Sequence, residues 1–211
     1  MTDRVERILE NVTGRRILHV GCAGSLQTES DSWLHGRLML RFPESEIVGL
    51  ELDGELVERM RALGYENVVQ GNAESMSFER DFDCIVAGEV IEHLSNPGQF
   101  LQASIRALKP GGRLVVTTPY IFGLFHFAHA LLRFPKTSPN PEHSCWFCPS
   151  TLSELAHREG LKVERFELAA SYPLDMPGCR IYLFSLFMHS LGRLLPKRLR
   201  SNRMLFVLSA P

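Results

Sequence analysis

Apolar and polar positions along this chain follow two periods in turn. Short apolar runs at 17–20, 46–52, 68–70, 82–87, 113–118, 161–168 and 204–209 read as strands. The run at 82–87 is nearly continuous, as expected of a strand covered on both faces. Between the runs, apolar spacings of three and four predict helices over 2–11, 32–42, 54–63, 99–108 and 151–160. Thr2 is a candidate N-cap for the first, with Val5, Ile8 and Leu9 on one face; Trp33, Leu34, Leu38 and Met39 stripe the second. Lys109-Pro110-Gly111-Gly112 supplies a helix stop. Strands alternating with helices predict a doubly wound, mostly parallel α/β sheet. Two segments break the alternation. One is 120–134, rich in Phe and Leu and carrying His126 and His129; the other is 180–195, almost wholly apolar. Each comes after a late strand, where it would overhang a ligand crevice as a lid.

The most telling stretch is Arg16-Ile17-Leu18-His19-Val20-Gly21-Cys22-Ala23-Gly24-Ser25. A strand runs into a turn of small residues before a helix. In an α/β protein a nucleotide-like ligand sits outside that end of the strand, and residues without Cβ let backbone approach it closely. Alone, the turn reads equally well as a tight strand–helix connection. Four later features change that balance. Glu51 ends strand two, where a carboxylate can accept from both hydroxyls of a ribose. Asn72-Ala73 comes after strand three, where an amide and a backbone N–H can read an adenine rim. Glu89 comes after strand four within Gly88-Glu89-Val90-Ile91-Glu92-His93-Leu94. Leu108-Lys109-Pro110-Gly111-Gly112 then precedes strand five.

This ordered set resembles the class I S-adenosylmethionine-dependent methyltransferases over residues 5–170, most strongly in Glu-Val-Ile-Glu-His-Leu-x-x-Pro at 89–97 and Leu-Lys-Pro-Gly-Gly at 108–112. It looks most like the small-molecule branch, the type 11 and type 23 domains that include ubiquinone-type O-methyltransferases and enzymes acting on sugars or lipids. His143 and the Phe147-Cys148-Pro149-Ser150-Thr151-Leu152 run resemble that branch's His…Phe-x-Pro-x-x-Leu segment. The resemblance implies a Rossmann-like, seven-stranded sheet with an antiparallel last strand in a three-layer sandwich. It implies one domain over 1–211, with lid-like insertions at about 120–150 and 171–203. It places Gly21 and the backbone of Cys22, Ala23 and Gly24 along the amino-acid part of S-adenosyl-L-methionine. Glu51 would hold the ribose hydroxyls and Leu52 would pack on the adenine. Asn72 and Ala73 would meet the adenine edge, and Glu89 would stand near the methionine end and the acceptor. Glu89 and His143 are the catalytic candidates; an imidazole suits deprotonation of an acceptor hydroxyl.

Three positions depart from the family pattern. His19 stands where an acidic residue is usual, Ser25 where a third glycine is usual, and Asn72 where Asp is common. The Asn72 carbonyl can still accept from the adenine amino group. The departures keep open a catalytically impaired, cofactor-binding relative that acts as a partner. A nicotinamide oxidoreductase is the other alternative, disfavoured because residue 23 is Ala and residue 26 is Leu where G-x-G-x-x-G needs glycine.

Composition narrows the partners. The 211 residues are 45% hydrophobic and 22% charged, with net charge −1, which excludes a disordered chain and a globally basic nucleic-acid binder. Five cysteines and a charged first turn, unlike a signal peptide, fit reduced thiols in a cytoplasm. Cys145-x-x-Cys148 with His143 and Cys179 can be written as a zinc set, but one CxxC is too little and no metal is expected. Glu92 and His93 read as braces of the turn after strand four rather than as catalysts. His126 and His129 either line the acceptor pocket or pack. Within 180–203 an apolar stretch adjoins Arg193, Lys197, Arg198, Arg200 and Arg203. It reads either as a pocket lid or as a peripheral helix on an anionic membrane. The acceptor is thus a small molecule or a lipid-linked one, with oxygen the expected methyl-receiving atom.

Overall fold

The computed structural model describes residues 4–24, 26, 33–133, 140–169 and 194–211. Seven strands form one sheet: β1 (Arg16–Val20), β2 (Glu46–Glu51), β3 (Val68–Gln70), β4 (Phe82–Gly88), β5 (Leu108–Pro119), β6 (Lys162–Ala169) and β7 (Arg203–Ser209). Their order is β3-β2-β1-β4-β5-β7-β6. The first five run parallel, and β7 lies antiparallel between β5 and β6. Helices are α1 (Arg4–Leu9), α2 (Leu34–Arg41), α3 (Gly54–Ala62), α4 (Pro97–Ala107), α5 (Leu124–Arg133), α6 (Pro149–Arg158) and α7 (Lys197–Arg200). This is the Rossmann-like sheet with an antiparallel last strand that the sequence pattern and the resemblance imply.

Alternation along the strands builds the three layers. Ile17 of β1, Cys84 and Val86 of β4, and Leu205 and Val207 of β7 join Val5, Ile8, Leu34 and Leu38 of α1 and α2 in one core. Leu18, Val20, Ile85, Phe206 and Leu208 join Phe100, Leu101, Leu152 and Ala156 of α4 and α6 in the other. Side chains one residue apart on a strand point to opposite faces, so both faces must be apolar.

Two expectations are revised. Met39 is not part of the inner stripe of α2. Leu34 and Leu38, four apart, take the buried line together with His35, and Met39 falls one position beyond it, 42% exposed. The Pro-Gly-Gly stop ends α4 at Ala107, as its composition demands, but the chain enters β5 at once, with no intervening loop. Leu108 already pairs with Phe82, and the ladder shifts register before Arg113 pairs with Cys84. Gly111, at φ +75°, lies within that irregularity, where only a residue without Cβ is comfortable. The segment 170–193, and with it most of the predicted second lid and Cys179, lies outside the described residues, as do Ser25 and 134–139.

Candidate functional site

β1 pairs with both β2 and β4, so the strand order reverses there. A cleft of about 490 Å³ opens beyond the carboxyl ends of these strands, the place where doubly wound sheets take their ligands. Gly21 and Gly24 after β1, Glu51 and Leu52 at the end of β2, Asn72 and Ala73 after β3, and Glu89 after β4 all line it. Cys22 and Ala23 do not. Both side chains are buried, and the Cys22 thiol packs 3.8 Å from the Met60 sulfur of α3. They belong to the loop as backbone alone.

The loop after β1 is held from two sides. The N–H groups of Gly21 and Cys22 donate to the Leu50 carbonyl, at 2.8 and 3.3 Å. Ala23 N–H donates to Glu51 Oε2 at 3.1 Å, while Glu51 Oε1 accepts from Leu52 N–H at 2.9 Å. On the other side the Trp33 indole N–H donates to the carbonyls of Cys22 and Ala23, at 3.1 and 3.2 Å. Gly21 sits at φ +69°, and a Cβ there would come 2.9 Å from Val90 Cγ2. The cradle therefore requires glycine. Beside it, Leu52 leaves 66% of its surface open at the cleft edge, a flat apolar face of the kind an aromatic ring covers. Asn72 caps the short 3₁₀ turn Ala73–Ser75, its Oδ1 accepting Glu74 N–H at 2.9 Å. One of its two acceptor lone pairs is therefore committed, and its amide N–H₂ is not.

The far end of the cleft is charged. Glu89 stands at φ +60°, a strained conformation for a residue with a Cβ. Its N–H donates to Thr117 O at 2.9 Å. One of its oxygens forms an ion pair with Arg203, the first residue of β7, and its Oε1 is buried without a partner. Arg4, from α1, also lines the cleft. Behind Glu89 lies Glu92, 1% exposed, with neither carboxylate oxygen bonded. Burial, and then the charge of Glu89, push its pKa up to about 8. Glu92 does brace its surroundings, but through its main chain: its carbonyl accepts from the N–H of Ser144 at 2.9 Å and of Cys145 at 3.3 Å.

That main-chain clasp brings His143 to the cleft. Its ring meets His93, which lines the cleft, edge-on at 4.8 Å, and Trp146 at 5.5 Å. Its Nδ1 has no partner. Burial and the neighbouring His93 lower its pKa, which leaves the ring neutral and able to accept a proton near pH 7. Glu92, His93 and His143 each present one ligand-type atom, all within 4.8 Å of one another, and they are the one such grouping among the described residues. A divalent cation could sit among them. His126 is packed rather than exposed to the cleft: its Nε2 lies 3.3 Å from Asn202 O, and its ring meets Trp146 at 5.1 Å.

Residues 1–165 match the family model described as "Methyltransferase domain". The chain belongs to the S-adenosylmethionine-dependent methyltransferases. Among curated methyltransferases, it is 31% identical over 166 residues to the mitochondrial ubiquinone biosynthesis O-methyltransferase of Rattus norvegicus, covering 72% of this chain and 46% of that one. It is 32% identical over 115 residues to the ubiquinone biosynthesis O-methyltransferase of Xanthomonas oryzae pv. oryzae (strain PXO99A), covering 51% and 44%. The chain thus spans less than half the length of these relatives. A solved S-adenosylmethionine-dependent methyltransferase from Archaeoglobus fulgidus has the same fold, with TM-score 0.62, 18% identity and coverage of 98% and 91%. A solved structure from Bacillus halodurans C-125 gives TM-score 0.67 at 16% identity, covering 99% of each chain.

For a member of the S-adenosylmethionine-dependent methyltransferases, the cleft fits the family's cofactor. It has a backbone cradle that a Cβ would fill at Gly21, the Glu51 carboxylate at the end of β2 and an unpartnered buried oxygen on Glu89. Sequence reasoning missed Arg4 and Arg203. Arg4 lies in the opening helix, and no short-range pattern marks it. Arg203 read as one more charge in a basic run; only the antiparallel insertion of β7 beside β5 carries it to Glu89.

Proposed function

We propose that this chain transfers a methyl group from S-adenosylmethionine to an oxygen of a small acceptor, with His143 receiving the acceptor's proton. The observation that carries this reading is the position of His143, neutral and with Nδ1 unpartnered, against His93 at the rim of the cofactor cleft. The names of the relatives, O-methyltransferases, point the same way. When bound, S-adenosylmethionine supplies an electrophilic methyl group on a cationic sulfur. Glu51 would orient the ribose, Asn72 and Ala73 the adenine, and Glu89 would present negative charge to the cationic end. Orientation and exclusion of water are the main contributions available to the protein in such a displacement. His143→Ala should lower kcat by about 10²-fold or more, the usual scale for a general base, while S-adenosylmethionine still binds. Unchanged turnover refutes the assignment. Loss of turnover in chelator, restored by a divalent cation, would instead make His143 a ligand within the Glu92–His93–His143 grouping.

A lipid-linked acceptor at a membrane surface is supported by a second observation. Phe127 and Leu131, four apart on α5, are 62% and 71% exposed, and Phe122, Leu194 and Leu199 are exposed nearby in sequence or on α7. α5 packs against α7, which displays Lys197 and Arg198. An apolar face beside a basic one suits an anionic lipid interface. No helix among the described residues is long and apolar enough to cross a membrane. The Lys197→Glu/Arg198→Glu double variant should lose co-sedimentation with phosphatidylglycerol vesicles. Wild type that ignores those vesicles removes the membrane reading.

A further inference from the structure

His19 is the sharpest departure from the family pattern, and the structure shows what replaces the missing carboxylate. The ring lies at the end of β1, 3% exposed, with its Nδ1 3.1 Å from the Nδ1 of His35 on α2. The rings stack, with centroids 5.3 Å apart and planes 15° off parallel. Two Nδ1 atoms at that distance can share only one proton, so one imidazole donates and the other accepts. His35 in turn meets Trp33 at 5.6 Å and Tyr65 at 6.1 Å, and Trp33 meets Tyr65 edge-on at 5.0 Å. Trp33 is the residue whose indole N–H holds the carbonyls of Cys22 and Ala23. A continuous chain of contacts therefore runs from the His pair to the loop that forms the methionine end of the cleft.

From this geometry we infer that His35 is a positioning residue for the cofactor loop. Paired with His19, it fixes the place of Trp33, and Trp33 sets the loop carbonyls. The pair does with one shared proton, and no net charge, what a carboxylate at residue 19 would do with a negative one. Burial keeps both rings neutral: the pKa of His35 falls to about 4, and that of His19 falls well below its ordinary value, with His35 and the Arg4 guanidinium adding to the effect. The other ionisable groups at this cluster are the Tyr65 hydroxyl beside His35 and the Cys22 thiol. Burial, and then the charge of Glu51, push that thiol up to about 12, so it too is uncharged. Glu46 and Glu66 face His35 only across a separate cavity of about 300 Å³.

The role predicts a split between two ligands. The methionine end of S-adenosylmethionine would lie along the loop, whereas Glu51, Asn72 and Ala73, which line the other part of the cleft, would hold adenosine. The inference rests on the family's cofactor and not on the identity of the acceptor, so binding rather than turnover tests it. In calorimetric titrations of the full chain at pH 7.5, His35→Ala should weaken S-adenosylmethionine about tenfold, the scale of one lost buried hydrogen bond. Adenosine should stay within about threefold. His35→Asn places an amide near the position of Nδ1 and should restore S-adenosylmethionine binding. Trp33→Phe, which keeps the ring and loses the N–H, should show the same split as His35→Ala. Wild-type affinity in both His35→Ala and Trp33→Phe overturns the inference. So does equal weakening of both ligands without rescue by Asn, which would mark a merely structural role.

Discussion

Replacing Glu51 by Gln changes one atom of the side chain and tests the cofactor site at its centre. The carboxylate is surrounded by donors: Ala23 N–H reaches Oε2 at 3.1 Å, while Leu52 N–H at 2.9 Å and Asp53 N–H at 3.4 Å reach Oε1. A glutamine has one acceptor oxygen and one N–H₂ group. With the amide nitrogen at the Oε2 position Ala23 N–H loses its acceptor, and with it at the Oε1 position Leu52 N–H and Asp53 N–H lose theirs; either way a backbone N–H faces a donor. In the free protein this half-exposed site should lose about 1 kcal/mol, a fall of about 2–4 °C in melting temperature for a chain of this size. Toward the cofactor, the proposed role of Glu51 would cost the variant one charge-assisted bond to a ribose hydroxyl. Such bonds contribute about 1.5–3 kcal/mol, so Kd for S-adenosylmethionine should rise roughly 10- to 150-fold. Calorimetric titration measures the second effect and thermal unfolding the first. Amide exchange should also quicken at Ala23, or at Leu52 and Asp53, according to which way the amide turns. A Kd within about threefold of wild type would show that Glu51 does not hold the ribose.

Two more outcomes are expected from the same geometry. Gly21→Ala places a Cβ at φ +69° and 2.9 Å from Val90 Cγ2; at about 1–2 kcal/mol for the backbone strain alone, melting should fall by several degrees and cofactor affinity with it, and an unchanged melt refutes the cradle. Burial lowers the pKa of His126 from 6.5 to about 4. The unfolded chain therefore binds this proton first, and His126 makes stability fall as pH drops from about 6.5 toward 4, by about 2 kcal/mol between pH 7.5 and 5. In His126→Gln that contribution is absent, so the difference in urea-unfolding free energy between wild type and variant should shrink by that amount on acidification; parallel curves contradict the assignment.

The sheet was legible because both signals it depends on are local. Continuous apolar runs mark β1 and β4, and the Gly-rich turn and the Pro-Gly-Gly stop mark the boundaries of their neighbours. Glu51, Asn72 and Glu89 were legible for a related reason: each stands at or just past the end of a strand, and parallel strands bring their carboxyl ends to one edge. The hidden features depend on distance in sequence. Arg203 reaches Glu89 only through the β5–β7 ladder, and His143 reaches His93 only because Glu92 O clasps the backbone of Ser144 and Cys145. His35 carries no mark of its own in the sequence of α2. Its meaning lay in His19, sixteen residues earlier, and a one-dimensional period cannot express that pairing.

The place of β7 has a consequence for the making of this protein. Among the described strands β6 pairs with β7 alone, and β7 is what joins it to β5. During synthesis β6 emerges before any strand that can receive it, and the open edge of β5 waits with it. An unpaired edge is a template for association with other chains. The partner of Glu89 arrives on the same late strand. Sheet closure and completion of the charged end of the cleft are therefore a single event, the docking of β7, and a chain without β7 has neither.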